Sequence, residues 1–64
     1  MALKFAVPDM ACGACANTIT QAIHAIDPKA TVTADVVTKQ VTVETQEAGD
    51  AIKQAIVSAG YTIA

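Results

Sequence analysis

An α+β domain with the element order β-α-β-β-α-β is what the sequence predicts, and three observations carry that reading. Longer strand-like segments alternate apolar and polar residues, and two others repeat at helical period. Each strand segment has one apolar face and each helical segment one narrow apolar stripe. A length of 64 residues leaves room for one domain, taken as 1–64. The simple way to bury these faces is a four-stranded antiparallel sheet with both helices on one side. Right-handed crossovers then select the ferredoxin-like split βαβ topology.

The first strand runs over 2–8, with Leu3, Phe5 and Val7 on one face and Lys4 on the other, and ends at Pro8-Asp9. Residues 9–14 form a loop. From about Ala14 the period turns helical, with Ile19, Ala22, Ile23 and Ile26 on one stripe. Asp27-Pro28 ends this helix, because the residue before proline is pushed out of the α region. A second strand at 31–37 puts Val32, Ala34 and Val36 on one face, and Thr38-Lys39 turns the chain into a third at 40–45 with Val41 and Val43 inward. The second helix carries Ile52, Ala55, Ile56 and Ala59 and stops at Gly60, a favoured residue just past a helix C-terminus. Tyr61-Thr62-Ile63 makes a short last strand.

Composition excludes several classes of function. Apolar residues make up 53% of the chain, which rules out a disordered tail. Four lysines, no arginine and a net charge of −2 offer no phosphate-binding face, so nucleic acid is not the expected partner. No apolar run reaches the roughly 20 residues of a spanning helix, so direct membrane insertion is not expected either. The N-terminus lacks the continuous apolar stretch of a signal peptide, and a cytoplasmic location follows as the expectation. A domain this small has little volume for a substrate cleft, which argues against an enzyme.

Chemistry concentrates in Met10-Ala11-Cys12-Gly13-Ala14-Cys15, where a loop runs into the first helix. Four readings compete. Two buried cysteines could act as small hydrophobes, although the glycine-containing loop is not of core composition. A structural zinc site needs four ligands, and His24, the one conventional nitrogen ligand, lies nine residues beyond Cys15, roughly 13 Å along a helix. A thiol redox pair lacks the adjacent aromatic and later proline of thioredoxin-like sites. The fourth reading is a two-coordinate site for a soft monovalent ion such as Cu(I), selected by thiolate sulfur and open to a further thiolate. The helix N-terminus favours the thiolate form, and Gly13 is expected to let the loop curl so that both sulfurs face one point.

The motif Met-x-Cys-x-x-Cys between first strand and first helix, together with Gly60-Tyr61, resembles the heavy-metal-associated domain family over Leu3 to Ile63. Within that family the chain is similar to the small cytosolic copper chaperones of bacteria and cyanobacteria. The resemblance implies that Cys12 and Cys15 bind Cu(I) and pass it to the soluble metal-binding domain of a copper-transporting P-type ATPase. It also implies that Met10 supports the loop from the core and that Tyr61 stands close to the metal loop. From its residue type alone, Met10 is either a thioether ligand or a flexible gap-filler beneath the loop.

Two alternatives share the motif: an excised N-terminal metal-binding domain of such an ATPase, and a small thiol oxidoreductase. The start at Met1, one residue before the first strand, favours the free chaperone. Hg(II) and Zn(II) are the rival ions, although full-length periplasmic mercury-binding relatives would carry a signal sequence. No charged residue lies between Asp9 and Asp27, so the surface around the motif is polar and nearly neutral, with His24 an ordinary surface residue. That surface is also expected to accept a second copy in a copper-bridged homodimer.

Overall fold

In the computed structural model, which describes residues 2–64, the elements are β1 (Ala2–Ala6), α1 (Gly13–Ile26), β2 (Thr31–Asp35), β3 (Gln40–Glu44) and α2 (Gly49–Ser58). Met1, the first residue of the expected 1–64 domain, lies outside the described residues. β3 is central, with β1 and β2 antiparallel on either side. The register places Val43 between Leu3 and Val32, and Val41 between Phe5 and Ala34. These residues form one apolar face of the sheet, since side chains alternate along a strand. Ile19 and Ile23 of α1 and Ile52 and Ile56 of α2 are fully buried and join Val7, Val41 and Val43 in a single core cluster. Both helices therefore cover the same face, and the row Lys4, Thr42, Thr33 runs across the other.

The sheet has three strands among the described residues, not the expected four. Residues 61–64 lie along the outer edge of β1, where Ala64 donates its N–H to the Ala6 carbonyl at 2.9 Å. A ladder needs repeated exchange of such bonds. Here the Thr62 N–H is taken instead by the Asp9 carboxylate, with both oxygens at 3.1 Å. The C-terminal segment thus occupies an edge-strand position without forming a strand.

Smaller differences have local causes. β1 ends at Ala6, because Met10 donates to the Val7 carbonyl and closes a turn over Pro8-Asp9. β2 ends at Asp35, whose Oδ1 accepts the N–H groups of Val37 and Thr38 and starts a four-residue connection at 36–39. Lys39 closes it with φ +63°. Ile26, the last member of the α1 stripe, is 39% exposed rather than core. α1 ends at Ile26 with Asp27 as its cap, at the expected stop, and α2 ends at Ser58 with Ala59 as its cap, just before the expected Gly60.

Gly60 sets the direction in which the chain leaves α2. Its φ of +98° lies in the left-handed region that favours glycine. Gly60 donates to the Val57 carbonyl at 3.0 Å and Tyr61 to the Ile56 carbonyl at 3.4 Å, the bond pattern of a Schellman cap. The cap reverses the chain and sets Tyr61 against the core cluster.

Candidate metal centre

The turn at Val7–Met10 folds the Met10 side chain inward, where it is 0% exposed, and leaves Ala11 and Cys12 at the surface. Cys12 caps α1 in an extended conformation, and its carbonyl accepts the Ala16 N–H at 3.2 Å as the first helical bond. Cys15 lies one turn into the helix and is half-buried, whereas Cys12 is exposed. The spacing of three residues brings both side chains to one side of the helix start. Their Sγ atoms are 3.2 Å apart, too far for a disulfide of about 2.04 Å and close enough for a thiol–thiolate hydrogen bond. Both cysteines are free.

Gly13 does not play its expected part. It has no left-handed φ, and a Cβ added there would meet nothing within 4 Å. The curl comes from the Val7–Met10 turn and from the extended Cys12.

Cys15 is the activated thiol. Its pKa falls to about 7, chiefly because the Tyr61 hydroxyl hydrogen-bonds to its sulfur; Cys12 and the backbone of Ala11 add further stabilisation. The same bond holds the Tyr61 hydroxyl proton in place, raising the phenol pKa, while Thr18 one turn along α1 acts weakly the other way. The sequence suggested the helix N-terminus as the source of thiolate character. The largest contribution comes from Tyr61, 46 residues away in the chain and delivered by the cap at Gly60.

Two residues absent from the sequence-level site also hold this loop. Lys39 donates from Nζ to the Met10 carbonyl at 2.9 Å, across 29 residues. Asp9, by gripping the Thr62 N–H, ties the loop to the residue next to Tyr61. Nothing local in the sequence marks either pairing. His24 is exposed, as expected of a surface residue, and its Nε2 lies 2.9 Å from the carbonyl of Ala30, the residue before β2. That contact is at the end of α1 away from the cysteines. Among the described residues, no group of three or more His, Cys, Asp or Glu side chains could hold a metal ion. The two cysteines therefore stand without a third His, Cys, Asp or Glu side chain grouped with them among the described residues.

A pair of free cysteines at the start of α1, one exposed and one half-buried, backed by a buried methionine and neighboured by a tyrosine, in a domain whose two helices pack over one face of a sheet, is the arrangement of a soft-metal-binding domain. The chain belongs to the heavy-metal-associated domain family, whose model matches residues 4–62. The copper chaperone Atx1 from Synechocystis PCC6803, in a Cu1 trimeric form of a His-to-Tyr variant, superposes with a TM-score of 0.94 at 37% identity, covering 97% of this chain and 98% of that one. A cyanobacterial copper metallochaperone, ScAtx1, gives a TM-score of 0.83 at 36% identity, with all of both chains covered. A gold binding protein gives 0.90 at 38% identity, covering 94% of this chain and 92% of that one. No curated protein matches the chain at a significant level.

Proposed function

We propose that this chain is a single-domain Cu(I) carrier, not an enzyme, that holds its ion on Cys12 and Cys15. The observation that carries the reading is the free sulfur pair at 3.2 Å, Cys12 exposed and Cys15 half-buried at the start of α1, with no third His, Cys, Asp or Glu grouped with it among the described residues. Soft monovalent copper accepts two thiolates, whereas zinc prefers four ligands in a closed site. The copper chaperones and gold binding protein among the structural neighbours support the same ligand softness. A near-linear ion between two thiolates holds the sulfurs two metal–sulfur bonds apart, farther than their 3.2 Å separation in this structure. Loading therefore opens the pair, into a loop with free space around Gly13.

Transfer proceeds by ligand exchange. An incoming thiolate bonds to copper and gives a three-coordinate bridge; one donor thiolate leaves, and a second exchange completes delivery. Copper stays Cu(I) throughout, and the incoming thiols surrender protons that the departing cysteines take up. The Tyr61 hydroxyl stabilises Cys15 as a thiolate before loading and after release. The recipient we infer is the soluble metal-binding domain of a copper-transporting P-type ATPase in the cytoplasm, a partner that itself offers a thiol pair. Contact should be small and transient, below the roughly 1,200 Å² of stable complexes. No helix among the described residues is long and apolar enough to cross a membrane.

The open coordination also suits a copper-bridged pair of chains, in which four cysteines share the ion or ions; the trimeric copper form of a Synechocystis variant supports self-assembly in general, not the pair in particular. Anaerobic titration against a chromophoric Cu(I) chelator tests the reading. The wild-type chain should take one equivalent with high affinity. The Cys12→Ser, Cys15→Ser variant should fold and bind none tightly. Equal binding by both would overturn the assignment.

A further inference from the structure

Lys39 is the one non-glycine residue among those described with a left-handed backbone, at φ +63°. A lysine gains nothing locally from that conformation, which costs on the order of 1 kcal/mol. Three hydrogen bonds show what it achieves. The Lys39 carbonyl accepts the Val7 N–H at 2.8 Å, the Val7 carbonyl accepts the Met10 N–H at 3.0 Å, and the Met10 carbonyl accepts Lys39 Nζ at 2.9 Å. The three form a closed ring joining the β2–β3 connection to the stretch that leads into Cys12. Lys39 is half-buried in this ring, so its ammonium acts in partial shelter from water.

We propose that Lys39 is a positioning residue for the metal loop: its backbone and ammonium clasp Val7–Met10 and so fix where Cys12 stands relative to Cys15. The role rests on Cu(I) binding by the two cysteines but acts before any ion is bound. Cys12 is exposed and lacks a side-chain cap bond, so the chain preceding it must be held from elsewhere. Met10 packs it from below, with no exposed surface, and Lys39 holds its carbonyl from outside the core. The left-handed φ aims both the Lys39 carbonyl and its side chain at the same turn. An arginine could repeat the clasp; a methionine keeps the stem but loses the donor; a glycine loses the side chain yet favours the backbone conformation.

The test uses Lys39→Met, Lys39→Gly and Lys39→Arg in the whole chain. Two quantities are measured: Cu(I) affinity by chelator competition, and amide hydrogen exchange at Val7 and Met10, whose N–H groups lie in the ring, in the metal-free protein. Supporting groups around metal sites cost tenfold or more in affinity when lost. K39M and K39G should bind Cu(I) about tenfold more weakly and exchange those amides faster, while K39R stays close to wild type. K39G should do so without loss of thermal stability, which separates positioning from a general contribution to folding. Wild-type affinity and exchange in both K39M and K39G would overturn the proposal. Faster exchange in a chain whose wild type binds no Cu(I) would uphold the clasp and overturn the copper reading instead.

Discussion

The two ends of α1 use their polar groups in opposite ways. At its C-terminal end Asp27 accepts the Lys29 N–H on one oxygen at 3.0 Å and the Thr45 hydroxyl on the other at 2.6 Å. Thr45, itself buried, accepts the Glu47 N–H at 3.1 Å, and His24 reaches the Ala30 carbonyl. At the N-terminal end, about 20 Å away along 14 residues, Tyr61, Cys12 and the backbone of Ala11 all act to lower the pKa of one thiol, Cys15. A cleft of about 470 Å³ lies at the first end, lined by Asp27, Lys29, Glu44, Thr45 and Glu47 among others. In that cleft the Asp27 carboxylate and the Thr45 hydroxyl bond to each other, whereas the loop presents two free thiols, with Cys12 exposed.

Stability and metal binding should accordingly separate between the two ends. The C-terminal end gives the larger effect on folding. Hydrogen bonding from Thr45 first, then from the Lys29 backbone, holds the Asp27 carboxyl below the usual carboxylate range. A depressed pKa contributes stability above the unfolded value, lost as pH falls through the folded one. Urea midpoints should hold near neutral pH and decline below the ordinary carboxylate range, with a flatter decline in Asp27→Asn. Thr45→Val removes a buried hydroxyl bond and should cost about 1 kcal/mol. Copper affinity should stay unchanged in both variants; a joint loss would break the separation.

Tyr61→Phe sharpens the comparison from the other side. Without the hydroxyl the Cys15 pKa should rise from about 7 toward its ordinary value, read as an upward shift in the midpoint of alkylation rate against pH. An unmoved midpoint would return the thiolate's stabilisation to the helix terminus. The smallest effect is expected from Met10→Leu, a volume-conserving change that should cost less than about 1.5 kcal/mol. Copper affinity should hardly change. A tenfold fall, equal to about 1.4 kcal/mol, would make the thioether a ligand.

Much of this organisation is legible in the sequence because it is encoded locally. Asp27-Pro28 and Gly60 punctuate the helices, alternation reveals the strands, and the spacing of Cys12 and Cys15 marks the candidate site, with the family resemblance pointing to a soft metal. What escapes is encoded by partners far apart in the chain. The failed fourth strand depends on Asp9 capturing the Thr62 N–H across 53 residues. The source of the Cys15 thiolate depends on Tyr61, whose proximity to the metal loop only the family resemblance implied. The Lys39 clasp reads in the sequence as a turn residue and nothing more. Ile26 fits the helical stripe yet is partly exposed, because it lies on the last turn of α1.

The central claim is that Cys12 and Cys15 alone hold the ion. X-ray absorption at the copper edge, on the anaerobic protein loaded with less than one equivalent, tests it most directly. The expected result is Cu(I) with two sulfur neighbours and no nitrogen or oxygen in contact, the sulfur signal vanishing in the Cys12→Ser, Cys15→Ser variant. Nitrogen or oxygen ligands on the wild-type ion, or a sulfur signal that survives the double substitution, would contradict it.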